Sequence, residues 1–527
     1  MRSIDRREFV GIAALGAIGA GSIRAGELNT SQPRIAEATI SDLQALMASG
    51  ELTSVRIVES YLDSIKAIDK DLHSIVETNP DALMIAEKMD AERATGRLRG
   101  KLHGIPVVIK DNIDTADRMK TTAGSLALLD APLPTRDAFL VEQLRNAGAI
   151  ILAKTNLSEW ANFRSSGSSS GWSARGGQTR SPYILDRNPC GSSSGTAAAI
   201  AANLAAVGVG TETDGSIVCP SSISGIVGLK PTVGLISRSG IIPISHTQDT
   251  AGPMTRTVAD AAALLSAITA ADPLDKATAR NRSSIRNDYE KFLIADGLKG
   301  AKIGVARDFW GKRPEVDAVM NAALEAMKNA GATLIDVKIP TLGKFGSSEF
   351  EVLLYEFKDG LERYLKVRGS KYATLDELIQ FNKDNAAKEM PYFKQEIFEQ
   401  AAKKGPLTSR PYLQALKKCG SLSRKKGIDN VMNDHGIDAI AAPSNAPAWM
   451  TDLVSGDCGG NYVSSSSLAA VAGYPNITVP AGFVMELPIG ISFFGRAYSE
   501  GILLKIAYSF EQTTKARRAP KFLATAG

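Results

Sequence analysis

The stretch GVGTETDGSIVCP, residues 208–220, holds Ser216 among small residues just past two acidic ones, after a short apolar segment. That setting suits a hydroxyl nucleophile displayed on a turn, and such a nucleophile needs a base. The four histidines, His73, His103, His246 and His435, all lie outside segments that read as a serine-hydrolase partner for it. Two other features offer a base by a different route. A second serine cluster, PCGSSSG, puts Ser192 far enough ahead of Ser216 for one helix and one short strand, which would return both hydroxyls to one end of a sheet. Lys110 ends the apolar run GIPVVIK, and an ammonium buried without an anion either loses its proton or finds a partner. Each feature also has a plainer reading. Ser192, Ser193 and Ser194 can serve as helix N-cap and turn residues, and Lys110 can pair with Asp111 or Asp114. Phosphate-cradling patterns, GxxxxGK[ST] and GxGxxG, are both missing from the serine cluster. Taken together, two serines, a strand-end lysine and no suitable histidine point to a proton relay.

The elements that must position these residues follow from periodicity. GIPVVIKDN, DAFLVEQLRNAGA and IILAKTN read as strand, helix and strand, a βαβ unit that implies a largely parallel sheet covered on both faces. Upstream, TISDLQALMASGELTSVRIVESYLDSIKAIDK carries apolar residues at three- and four-residue steps, with Thr39 or Ser41 as N-cap candidates. Late apolar runs, AKIGVAR, TLIDVKIP, IDAIAAPS, NITVPAG and PIGISFFG, are expected to complete the sheet. The fold class is therefore α/β, one domain over residues 26–527, with a core at about 96–275 and late strands from about 300 to 515. The charged helical stretch from about 350 to 430 is expected to form a cap or outer layer.

The chain has 527 residues, 44% hydrophobic and 22% charged, with a formal net charge of +5 from 61 basic and 56 acidic residues. Without a dense basic tract interleaved with aromatics, no nucleic-acid partner is implied. Cys190, Cys219, Cys419 and Cys458 show neither CxxC nor CxxH spacing, so no metal site is expected and no disulfide pairing can be assigned. Cys190 and Cys219 read as small apolar packing residues. At the N-terminus, DRREFVGIAALGAIGAGSIRA pairs Arg6 and Arg7 with an apolar run of signal-peptide length. Residues 1–25 thus resemble a twin-arginine export signal, and a periplasmic or extracellular location is expected, without stable membrane insertion.

The motifs GIPVVIKDN, KTNLSEWANF, GGQTRSPY, PCGSSSGTA and GTETDGSIVCPSSISGIVGLKPTVGLISRSG resemble the amidase signature family in order and spacing, and the likeness runs from about residue 36 to KIAYSFEQTTKAR. Within the family, TETDGSIVCP, LLYEFKDGLERYL and VAGYPNITVP are most similar to bacterial peptide amidases. The resemblance implies a single α/β domain on a central mixed, mostly parallel sheet of about eleven strands. It also implies a cofactor-free hydrolase that releases ammonia from carboxamides, here the C-terminal amides of peptides. Aryl, aliphatic or fatty amides are the alternative substrates, and a component of a transamidation complex is a third reading. Carried over by motif, Ser216 matches the nucleophile, Ser192 a bridging serine after a cis peptide bond, and Lys110 the terminal base. The backbone N–H groups of Thr213, Asp214, Gly215 and Ser216 match the oxyanion hole.

The motif departs from the family wording TDTGGSIRxP at three places: Glu212 replaces an aspartate, Asp214 a glycine and Val218 an arginine. A backbone oxyanion hole tolerates Asp214, and the missing arginine at 218 argues against the transamidation reading. Asp214 beside the nucleophile and Asn162 in SEWANFRSS are expected to place the amide end of the substrate. For Lys110 to act as base, its pKa must fall from about 10.4 toward roughly 7 to 8.

Overall fold

The computed structural model describes residues 35–280, 282–457 and 463–526, so the stretch 1–25 expected to be an export signal and Cys458 lie outside the described residues. The described residues form thirteen strands: β1 Ile75–Thr78, β2 Pro106–Lys110, β3 Ile150–Thr155, β4 Trp172–Ser173, β5 Gly177–Gln178, β6 Val207–Glu212, β7 Val227–Lys230, β8 Thr250–Thr255, β9 Lys302–Ala306, β10 Thr333–Val337, β11 Ala439–Pro443, β12 Asn476–Val484 and β13 Leu487–Phe494. Strands β4 and β5 form a small ribbon, and the other eleven form one sheet in the order β1-β3-β2-β6-β8-β7-β12-β13-β11-β9-β10.

The pairing is mixed. Parallel pairs occupy two blocks, β3-β2-β6 and β11-β9-β10. The centre, from β6 through β8, β7, β12 and β13 to β11, is antiparallel throughout. The expected parallel character thus holds for the βαβ segments alone. In the centre, the short connection from β12 to β13 returns the chain at once and forces that pair to be antiparallel. Strands β2, β3, β6, β7, β8, β11 and β13 are buried at every position. Successive side chains point to opposite faces, so full burial means that both faces are covered.

Local chemistry sets the element boundaries. Thr39 caps the helix Ile40–Ser49 in a reciprocal capping box with Asp42, and Thr53 caps Ser54–Leu72. In the unit Ala36–Gly527 the charged stretch after residue 345 forms the helices Gly346–Arg368, Leu375–Asp384, Glu396–Ala402 and Arg410–Gly420. It is a packed cap: Leu354, Phe357, Leu361 and Phe398 form one apolar cluster with Trp160 and Phe163, which flank Asn162. Among the described residues no helix is long and apolar enough to cross a membrane.

One expectation is overturned. Cys190 and Cys219 form a disulfide, while Cys419 is free and buried. Spacing along the chain could not reveal this, because the helix Ser194–Ala201 and strand β6 lie between the two cysteines and only the folded return brings them together.

Candidate active site

Lys110 closes β2, which runs parallel to β6 with Val107 opposite Val207 and Ile109 opposite Val209. Both strands therefore end at the same edge of the sheet, where open α/β sheets collect their ligands. Beyond β6 comes the turn that carries Ser216, and across it lies the loop bearing Ser192. The peptide bond Gly191–Ser192 is cis. The Ser193 N–H donates to the Ser216 carbonyl at 3.1 Å, which holds the two serine turns side by side. A Cβ on Gly191 would sit 2.1 Å from Ser158 Oγ, so only glycine fits beneath Ser192.

Lys110 is fully buried, and its Nζ lies 2.7 Å from Ser192 Oγ, 2.9 Å from Thr211 Oγ1 and 3.3 Å from the Thr211 carbonyl. The three oxygens fit the three N–H groups of an ammonium and equally a neutral amine. In the amine, two N–H groups can donate to the two Thr211 oxygens, which leaves the nitrogen lone pair for the Ser192 hydroxyl proton. Burial pushes the Lys110 ammonium down to about 7, against the opposing pull of Asp249 and Glu212. The salt bridges open on sequence grounds do not form, because Asp111 pairs with Arg175 and Asp114 with Arg368.

Glu212 closes β6 and is buried. Its Oε2 accepts from the N–H groups of Ile217 at 2.7 Å and Val218 at 3.0 Å. The carboxylate therefore clamps the turn that displays Ser216. Among the described hydrogen bonds, none uses the N–H groups of Thr213, Asp214, Gly215 or Ser216, so four donors in one turn stay available for an oxyanion. Gly215 has φ +78°, the left-handed conformation that turns the backbone there. The Thr213 hydroxyl donates to Asp249 at 2.6 Å, and Asp249 also accepts the N–H groups of Ile244 and Ser245.

A cavity of about 430 Å³ opens on this turn, lined among others by Asp214, Gly215, Gly191 and Asn162. The structure thus brings both expected substrate-facing residues to one wall system. Asn162 ends a run of three left-handed residues from Trp160, with φ of 51°, 55° and 73°. Its side chain is held by Ser168 at 2.7 Å and Ser170 at 3.1 Å. Asp214 accepts from Ser466 Oγ at 2.5 Å, and burial pushes its carboxyl up. Asp457 lines the far side, held by the N–H and hydroxyl of Ser170. Neither this cavity nor another of about 360 Å³ under the cap helix is lined by Lys110, Ser192 or Ser216; the first meets the site through Gly191 and Gly215, the chain neighbours of the two serines. Among the described residues no group of three or more His, Cys, Asp or Glu could hold a metal ion.

Thr211 and Asn112 went unread in the sequence. Asn112 donates to Thr211 Oγ1 at 3.0 Å, and together they fix the hydroxyl that faces Lys110. The signal for Thr211 was present: residues 207, 209 and 211 share one face of β6, and only the last is polar.

The profile of the family described as Amidase matches residues 56–504. A probable amidase of Arabidopsis thaliana is 42% identical over 501 residues, covering 93% of this chain and 92% of its own. A native peptide amidase structure from Stenotrophomonas maltophilia superposes with a TM-score of 0.88 at 48% identity, covering 92% of this chain and 99% of that one. A glutamyl-tRNA(Gln) amidotransferase component from Gloeobacter violaceus is 34% identical over 508 residues, covering 93% of this chain and 99% of its own.

Proposed function

Since the chain belongs to the amidase family and is an amide-hydrolysing enzyme, we propose that it releases ammonia from the C-terminal carboxamides of peptides through a Ser216, cis-Ser192, Lys110 relay. The observation that carries the reading is Lys110, buried, without an ion pair among the described residues and 2.7 Å from Ser192 Oγ. Neutral Lys110 takes the Ser192 proton while Ser192 takes that of Ser216, and Ser216 Oγ bonds to the carboxamide carbon. The N–H groups of Thr213 to Ser216 receive the oxyanion. On collapse the C–N bond breaks, and the relay returns its proton to the leaving nitrogen, which departs as ammonia. Water then attacks the acyl-enzyme by the same relay and frees the carboxylic acid. No cofactor enters these steps.

Peptide amides are favoured over aryl, aliphatic or fatty amides by the polar lining of the cavity, where Asn162, Asp214 and Asp457 offer partners for backbone amides. Val218, where the family wording has arginine, weighs against a role in a transamidation complex. We further propose export through the residue 1–25 signal, which the Cys190 to Cys219 disulfide supports, since such bonds persist in oxidising compartments. The test is ammonia release by the purified protein from amidated peptides, simple carboxamides and fatty amides. Turnover of the other classes without turnover of amidated peptides would overturn the substrate assignment.

A further inference from the structure

The cap helix Gly346–Arg368 delivers a carboxyl group to the back of the nucleophile turn. Glu349, in its first turn, is 9% exposed. Gln248 Nε2 donates to Glu349 Oε1 at 3.1 Å and to the Thr213 carbonyl at 3.4 Å, which ties the helix to the turn two and three residues before Ser216. The Glu349 carboxyl adjoins that of Asp214, near enough to share a hydrogen bond with it. Two carboxylates cannot make that bond; one of them must carry a proton.

The surroundings decide which. Asp214 already accepts from the Ser466 hydroxyl at 2.5 Å, and Lys230 beyond the turn favours its charged form. Among the described hydrogen bonds Glu349 has only the neutral Gln248 as a further donor, and the Cys419 thiol near it on the helix Arg410–Gly420 is pushed up to about 11 and uncharged. Burial, with the Asp214 charge behind it, pushes the Glu349 carboxyl up to about 8. With Gln248 donating to Oε1, the proton belongs on the other oxygen of Glu349.

We propose that Glu349 is a positioning residue for substrate recognition: as a carboxylic acid it donates to the Asp214 carboxylate and fixes the oxygen that accepts the substrate's carboxamide N–H. This rests on Asp214 facing the carboxamide, as in the function proposed above. It goes beyond that reading in giving the cap helix a part in the site. Loss of the Glu349 proton places two anions in contact. Asp214 then turns from the cavity, and binding weakens while the relay is untouched.

The test separates KM from kcat for a primary carboxamide between pH 6.5 and 9.5. In the wild type KM rises above about pH 8 while kcat holds. Glu349→Gln keeps a donor that cannot titrate, so its KM at pH 7 stays within about threefold of wild type and the alkaline rise disappears. Glu349→Ala raises KM about tenfold with kcat changed less than about threefold. An alkaline KM rise retained in Glu349→Gln, or an Ala variant with unchanged KM, overturns the proposal. Infrared spectroscopy at pH 7 reads the same proton without turnover: a protonated-carboxyl band is present in the wild type and lost in Glu349→Gln, and no difference between the two also overturns it. Failure of the peptide-amide assignment alone shows as turnover of simple carboxamides only, and on these the KM test still runs.

Discussion

Lys110 Nζ stands 2.7 Å from Ser192 Oγ, on a strand end where every nearby acid is engaged elsewhere. A cation that the fold meant to keep charged would be given one of those acids. Here burial lowers the hold on the charge, and in the proposed relay the amine serves as the base. Ser216→Ala is expected to abolish amide turnover, and Lys110→Ala and Ser192→Ala each to lower kcat/KM by several orders of magnitude, because relay members act as a unit. Lys110→Arg should be as inactive as Lys110→Ala, since a guanidinium does not give up its proton. A Lys110→Ala enzyme that kept more than about a tenth of wild-type kcat/KM would remove lysine from the relay.

The pH dependence follows with a definite sign. The neutral amine is the active form, and in the folded protein Lys110 sits at about 7, below its ordinary value of 10.5. The kcat/KM profile should fall about tenfold per pH unit on the acid side of 7 and level off above it until about pH 8, where the rise in KM expected from Glu349 lowers it again. Stability moves the same way in the window between the two values. From about pH 7 to 10.5 the unfolded lysine holds a proton that the folded one does not, so rising pH favours the fold. Lys110→Met should therefore be inactive and yet at least as stable as wild type at pH 7, read by thermal melting. A rate profile peaking near pH 5 would point to a carboxylate base.

Glu212 tests whether the nucleophile turn needs its clamp. Its Oε2 accepts from both Ile217 and Val218 N–H groups, and neither donor has another acceptor among the described hydrogen bonds. Glu212→Ala leaves two buried donors unmade and should cost about 1–3 kcal/mol in denaturant unfolding, with a fall in kcat as the turn loosens. Glu212→Gln keeps one acceptor oxygen and should retain most of the stability. Equal stability of the Ala variant and wild type would show that the clamp is dispensable.

The disulfide joins the loop just before Ser192 to the helix just after Ser216, across 29 residues of sequence. Removing it with Cys190→Ser and Cys219→Ser together should lower unfolding free energy by about 3 kcal/mol, mainly because the unfolded chain regains its freedom. The same loss should appear on adding a thiol reductant before a thermal scan. An unchanged melting temperature in reductant would mean that the bond does not constrain the chain.

What the sequence disclosed and what it withheld divide by range. Lys110, Ser192, Ser216 and the intervening helix and strand were legible because each lies in a local pattern: an apolar run ending in a charge, a small-residue turn, an alanine-rich helix. Asn162 and Asp214 came from motif wording and do meet at one cavity. The disulfide, the antiparallel centre of the sheet and Glu349 depend on contacts between distant segments, on which periodicity is silent. Glu349 lies 135 positions after Asp214, at the start of a charged stretch read as a cap or outer layer, and only the docking of the cap turns that one acid inward. Thr211 is the intermediate case, visible in the alternation of β6 once its partner strand is known.

The last prediction concerns what the site rejects. To receive a proton from the relay, the leaving nitrogen must sit against Ser192 Oγ, and Ser192 is 1% exposed. Behind it Gly191 is pressed on Ser158 and Ser194, so closely that even a methyl group at 191 would collide. In the proposed binding mode a leaving group larger than NH2 meets this crowded backbone, whereas the acyl side extends into the cavity toward Asn162 and Asp457. Amidated peptides should therefore lose their terminal amide while their internal peptide bonds survive. Mass spectrometry of an amidated pentapeptide after incubation distinguishes the outcomes, since exchange of NH2 for OH leaves one species of nearly the same mass and internal cleavage yields fragments. Fragments as the main product would overturn the closed end of the site. Asp214→Asn keeps the backbone donors of the oxyanion turn but weakens the acceptor for the carboxamide N–H. It should slow primary-amide turnover by about tenfold, chiefly through KM. Unchanged kinetics in that variant would take Asp214 out of substrate recognition.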